Sequence, residues 1–132
     1  MTQSSPSTDR GSAVAELVMV GGLLVLLLAG VVQAGLVLHA RNVFASAAAE
    51  GARYAASTGS DEQAGARRTD DLARSALSDA VVRDVDCQSG SEQRSGLDVR
   101  VVTCDGFLPV LFLPFGRIRI HVAGRALAEP GP

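Results

Sequence analysis

Residues Leu17 to Leu38 read LVMVGGLLVLLLAGVVQAGLVL, and this run constrains the chain more than any other feature. It is 22 residues long, and Gln33 is its only strongly polar member. At 1.5 Å of rise per residue such a helix covers roughly 33 Å, about the hydrocarbon thickness of a bilayer. A water-soluble helix needs a polar face, and this run has none. It predicts a transmembrane helix. A cleaved secretory signal is the competing reading, with Val32-Gln33-Ala34 as a small-x-small site. Signal apolar regions are about 7–15 residues long, and here the apolar character continues past that site. The positive-inside comparison sets Arg10 against Arg41 and Arg53 and gives no orientation.

After the run, roughly 90 residues remain, enough for one modest core. Aromatics are 4% and Trp is absent, so that core is built from Val, Leu, Ala and Ile. The formal net charge of −2 argues against nucleic acid as a partner. All 12 basic residues are Arg, which reads as genome bias and carries no function.

The first eleven residues, MTQSSPSTDRG, form a short polar leader expected to be disordered. Glu16 then stands at the mouth of the apolar run, where a carboxylate needs a reason. One reason is the helix dipole, which favours a negative charge there by ~0.3–1 kcal/mol. The other is processing. Cleavage after Gly11 would leave Ser12 with a new amine, and Glu16 would be the fifth mature residue, one turn away. This arrangement resembles the prepilin cleavage motif: a Gly, a Glu five residues later, then an apolar run. Type IV pilins and pseudopilins carry such leaders and are cut by a membrane-embedded aspartic peptidase. Many of them have an aromatic residue directly after the Glu, where this chain has Leu17.

From His39 to Ser57 the chain is dense in Ala, the best helix former, so a helical stalk is expected to continue from the bilayer. Gly51 should weaken it by about 1 kcal/mol relative to Ala, while small residues allow another helix to approach closely. Within it, Glu50-Gly51-Ala52-Arg53-Tyr54, flanked by Ala on both sides, resembles the signature after the anchor in TadE-like proteins of the tight-adherence (Flp) pilus system. The resemblance extends to the leader, the anchor and a short β-rich end. It implies a minor pilin, pseudopilin or pilus-assembly component, with the membrane, other pilins, assembly proteins and a prepilin peptidase as partners. It implies no catalytic residues.

Ser57-Thr58-Gly59-Ser60 reads as a break. Glu62 to Ala80 then reads as a helix, with Leu72, Ala73, Ala76, Leu77 and Ala80 on its apolar face. Arg67, Arg68, Asp70 and Asp71 form a solvated face. Three strands are expected. Val81 to Cys87 is the first, and Gln88 to Gly96 is read as a polar loop. Leu97 to Cys104 is the second, with Leu97, Val99 and Val101 on one face against Asp98, Arg100 and Val102. The third alternates Arg117, Arg119 and His121 with Ile118, Ile120 and Val122, the period of a half-buried strand. Between the last two strands, Phe107 to Gly116 is strongly apolar, with Pro109 and Pro114 blocking regular pairing. Such a segment either folds into the core or meets a partner or the membrane surface. TadE-like chains often have a Pro-containing apolar segment here.

Cys87 and Cys104 each close an expected strand, and a hairpin would bring them close enough for a disulfide. Two free thiols or a metal pair are the alternatives. A metal site lacks further ligands, since His39 and His121 are distant in sequence. Disulfides persist outside the cytosol, which puts the C-terminal domain outside and the leader in the cytoplasm. No phosphate loop, Ser-His-Asp set or zinc motif is present in the sequence. The expectation is a non-enzyme with no cofactor and no small-molecule substrate.

The expected fold is α+β: a long transmembrane helix continuing into a stalk, a second short helix, and a small antiparallel sheet of about three strands. The expected division is leader 1–11, transmembrane helix 12–38, stalk 39–57 and extracytoplasmic domain 58–132. Three functional readings stand: a processed minor pilin or pseudopilin, an unprocessed scaffold of the same machine, and an extracytoplasmic binding domain, anchored or secreted, unrelated to pili.

Overall fold

A single helix, α1, runs from Asp9 to Thr58, 50 residues in all. It carries no Pro and ends where the sequence turns to Ser, Thr and Gly. The computed structural model of the chain describes residues 9–58, 61, 63–111 and 116–128. The leader up to residue 8 and residues 112–115 of the apolar connection lie outside them. After α1 come α2 (Ala64–Ala76), α3 (Asp79–Val82), β1 (Val85–Arg94), β2 (Leu97–Pro109) and β3 (Arg117–Leu127). The strands form one antiparallel sheet in the order β1-β2-β3. The fold is therefore α+β, as the residue patterns indicate.

The chain divides into two compact units at Gly35 and Leu36. In the first, α1 is apolar on every side: Leu17, Met19, Leu23, Leu26 and Val31 are all exposed. Its mean hydropathy reaches 2.5 over an 18-residue window, of which none is buried. A helix with this length and composition fits a single-pass membrane anchor.

In the second unit α1 changes character. Ala40, Phe44, Ala47, Ala48, Ala52 and Ala55 are buried at helical spacing. The segment expected as a stalk is thus the core helix of this unit. Phe44, at 1% exposure, is its largest buried side chain and packs with Val82, Val102, Cys104, Leu108, Ile120 and Val122.

The first strand differs from the sequence expectation. Val81 and Val82 belong to α3, and β1 begins at Val85. Gln88 to Arg94, read as a loop, continues β1 in register with β2, from Gln88↔Thr103 to Arg94↔Leu97. The strand lies at the sheet edge, where polar side chains face water and alternation disappears. Its hairpin turns over two residues, Ser95 (φ 54°) and Gly96 (φ 80°). Two consecutive positive φ values are what a type I′ turn requires, and that turn matches the twist of the strands.

The buried face of α2 also differs from expectation. The buried residues of α2 are Gly65, Ala66, Thr69 and Ala73, whereas Ala76 and Ala80 are exposed. The helix also stops at Ala76, with Leu77 extended. In β2 the residues that join the core are Val102, Cys104 and Leu108. Val99 and Val101, on the opposite face, are buried as well. Glu92 and Arg125 are the cross-strand partners of Val99 and Val101, and their side chains approach to 4.0 Å across β2. β2 also pairs through Pro109, opposite Arg117. A Pro at the last position of a strand interrupts nothing beyond it. β3 keeps the expected alternation, with Ile120 and Val122 buried and Arg117, Arg119 and His121 exposed.

Asp61 accepts the Gln63 backbone N–H at 3.0 Å and pairs with Arg67, which organises the entry to α2. Arg67 and that N–H hold the Asp61 carboxyl below its ordinary value. This contribution is therefore present above the ordinary carboxyl range and is lost as pH falls through the lowered value.

Phe44 fills the centre of a core that has few large side chains. Phe44→Ala should destabilise the second unit by about 3–5 kcal/mol. Thermal or urea unfolding of the detergent-solubilised chain, followed by circular dichroism, measures it.

Candidate functional site

The Glu50–Tyr54 run sits where α1 meets α2. Gly51 and Ala52 point into the core, and Tyr54 is about half exposed. Glu50 and Arg53 stay on the surface and pair at 2.8 Å, one turn apart. With both side chains largely solvated, that pair contributes a few tenths of a kcal/mol at most. The structural weight falls on Gly51.

A Cβ placed on Gly51 would overlap Thr69 Oγ1 and the Gly65 carbonyl oxygen. The facing Gly65 is equally tight: its Cβ would lie 2.9 Å from the Gly51 carbonyl oxygen, 3.0 Å from Val102 and 3.1 Å from Ala55. The two helices therefore touch backbone to backbone. Thr69, fully buried, closes the contact. Its hydroxyl donates toward the Gly65 carbonyl at 2.9 Å and the Ala47 carbonyl at 3.2 Å. One polar side chain thus ties α2 to α1 without leaving a buried group unpaired. Gly124 of β3 also lies directly against α1, at the Ala48–Ala49 backbone. Small residues on α1 let a helix and a strand approach it at the same level.

From the sequence alone Gly51 stands out as a loss of helix propensity and an opening for close approach. Gly65, Thr69 and Gly124 do not stand out in the same way. The G-x-x-x-T spacing of Gly65 and Thr69 places both on one face of α2, and that was the available signal.

Gly11, Ser12 and Glu16 lie in the first turns of α1, and all three are exposed. Cys87 and Cys104 oppose each other directly in the β1–β2 register and are joined by a disulfide, with Cα atoms 4.1 Å apart. Cys104 is fully buried, so the bond fastens the edge strand to the core. Nowhere else do the described residues suggest chemistry. No group of three or more His, Cys, Asp or Glu among them is placed to hold a metal ion. His39 is exposed on α1, far along the chain from His121. His121 Nδ1 meets Asp105 at 2.7 Å in an exposed pair on the outer face of the sheet.

Gly51→Ala would raise the intrinsic helix propensity by ~1 kcal/mol, yet it should destabilise the chain, because the new methyl meets backbone that cannot withdraw. Gly30→Ala, where nothing lies within 4 Å, is the matched control and should not destabilise. Comparing their melting temperatures separates packing from propensity. Reducing the Cys87–Cys104 bond removes a cross-link over 17 residues of sequence separation. It should lower stability by up to about 3 kcal/mol, read as a fall in melting temperature with reductant.

No curated protein and no solved structure matches the chain. Residues 11–53 do match a protein-family model, described as TadE-like protein. The match begins at the junction before the apolar run and ends at Arg53, so it covers the anchor and most of the core helix. Over that segment, from the apolar run to the Gly51 contact with α2, this chain is similar to TadE-like proteins.

Proposed function

We propose that the protein is a membrane-anchored minor pilin, pseudopilin or assembly component of a tight-adherence (Flp-type) pilus. The observation that carries this reading is the TadE-like match over residues 11–53, which falls on a helix whose Leu17–Gly35 part is apolar on every side. That match associates the chain with the tight-adherence pilus. A helix with no polar face gains nothing from water and is held by lipid or by other apolar helices. Both surroundings occur in the life of a pilin.

In this reading residues 1–11 are a cytoplasmic leader, removed after Gly11 by a prepilin peptidase. Ser12 then carries the new amine, and Glu16 pairs with it or with the amine of a neighbouring subunit. An ion pair in low dielectric is worth more than one in water, so it sets the register of subunits as the anchor leaves the bilayer. Residues 12–38 span the membrane, and the sheet-bearing part lies outside the cytoplasm. The Cys87–Cys104 disulfide supports that side, since reducing conditions in the cytosol oppose such bonds. The role is structural, with no reaction catalysed.

N-terminal sequencing of the membrane-extracted protein tests the processing step, and a mature chain beginning at Ser12 is expected. Glu16→Ala should leave the protein in the membrane while reducing its incorporation into pili, read by immunoblot of sheared filaments. An intact leader together with normal assembly of the Glu16→Ala chain would instead identify an unprocessed scaffold.

A further inference from the structure

The second unit has one end that carries the last turn of the apolar run. Leu36 and Leu38 are exposed there, while Val37 packs against the core cluster that contains Ala40 and Leu108. The order of contacts along α1 shows which parts of the fold reach this end. Gly65 meets Gly51, and Thr69 meets the Ala47 carbonyl. Leu72 and Ala76 then border a groove with Val43. So α2 runs antiparallel to α1, toward Ala40. Past it, the Asp84 carbonyl accepts the Phe107 N–H at 3.0 Å, and the Asp84 carboxylate pairs with Arg117 at 2.9 Å. The ends of β2 and β3 therefore lie at the level where the apolar run finishes.

That end is apolar and basic. Phe107 is 43% exposed, Leu111 66% and Ile118 36%. The Arg117 guanidinium stands over the Phe107 ring, 5.8 Å from its centre. Exposed Arg119 is the direct partner of Phe107 in the strand register. Apolar and aromatic side chains interleaved with Arg suit the headgroup region, where rings and methylenes enter the acyl boundary and guanidinium groups meet phosphates. The opposite end of the sheet is more polar: the Ser95-Gly96 turn is flanked there by Arg94, Gln93 and Asp98, with Leu97 and Leu127 exposed beside them.

We propose that the β2–β3 end of the second unit, through Phe107, Leu111, Ile118, Arg117 and Arg119, rests in the headgroup–acyl interface of the bilayer that holds the anchor. The occupant of this apolar surface is lipid. The argument is continuity, because Val37 belongs both to the apolar run and to the packing at this end. The inference rests on the anchor reading above. It gives the protein a second lipid contact, which would limit rotation and tilting of the folded unit about its helix until the chain leaves the membrane.

The chain has no Trp, so a single introduced Trp reports alone. The full-length variants Phe107→Trp, Leu97→Trp and Leu23→Trp are reconstituted in phosphatidylcholine–phosphatidylglycerol vesicles, with and without lipids brominated at shallow or deep acyl positions. The inference expects Phe107→Trp to emit at shorter wavelength than Leu97→Trp and to lose about half or more of its emission to shallow bromines. Leu97→Trp should be unquenched, and Leu23→Trp quenched by deep bromines. If Leu23→Trp is quenched while Phe107→Trp behaves like Leu97→Trp, the anchor reading stands and this inference falls. If Phe107→Trp is blue-shifted but insensitive to bromine, the surface is covered by protein and the inference also falls. If Leu23→Trp is unquenched, the anchor reading itself has failed.

Discussion

The second unit depends on one close approach, the contact of α1 and α2 at Gly51 and Gly65. Without side chains on either residue, two backbones meet, and the Thr69 hydroxyl lies between their carbonyls. The rest of the unit follows from that distance. Ala47, Ala48, Ala52 and Ala55 are small because a helix or strand passes directly over them. Gly124 admits β3 against Ala48 for the same reason. A core with few aromatics reaches native density by bringing its backbones together, and Phe44 fills the space they leave.

The same helix serves two solvents. From Leu17 to Gly35 its side chains are almost all apolar, and the large ones are exposed in every direction, as lipid permits. From Ala40 onward one stripe is small and buried, while Arg41, Ser46 and Arg53 face out. The TadE-like match covers both regimes, 11–53, and ends within the run that contacts α2. The matched segment therefore joins an apolar run that fits a single-pass anchor to a packing surface. Its Glu50–Arg53 pair is solvated and weak, so Gly51 and Ala52 are the physically demanding members of the run.

The α+β class, the long helix and the strand at Arg117–Leu127 were legible because each rests on an unbroken pattern. One is a run without a polar face, and the other a strict alternation of Arg and His with Ile and Val. Polar β1 was not legible. Gln88 to Arg94 has no apolar alternation, and its strand character comes from pairing with β2. Which face of β2 joins the core was not legible, because Val occurs on both faces and is buried on both. In α2 the leucine and alanine spacing suggested a stripe one step away from the real one, because the seam is set by Gly65 and Thr69.

By itself the sequence determined the anchor and the helical course of the Ala-rich segment. Both follow from local composition: an apolar run of this length has no stable place in water, and Ala favours helix wherever it stands. Only the tertiary structure decided that this segment is a core helix, which face of α2 and β2 it meets, and that β1 extends along the sheet edge. Those choices depend on residues far apart in the chain, such as Gly51 with Gly65 and Ala48 with Gly124. Close packing is a property of two surfaces together, and neither partner's sequence specifies it alone.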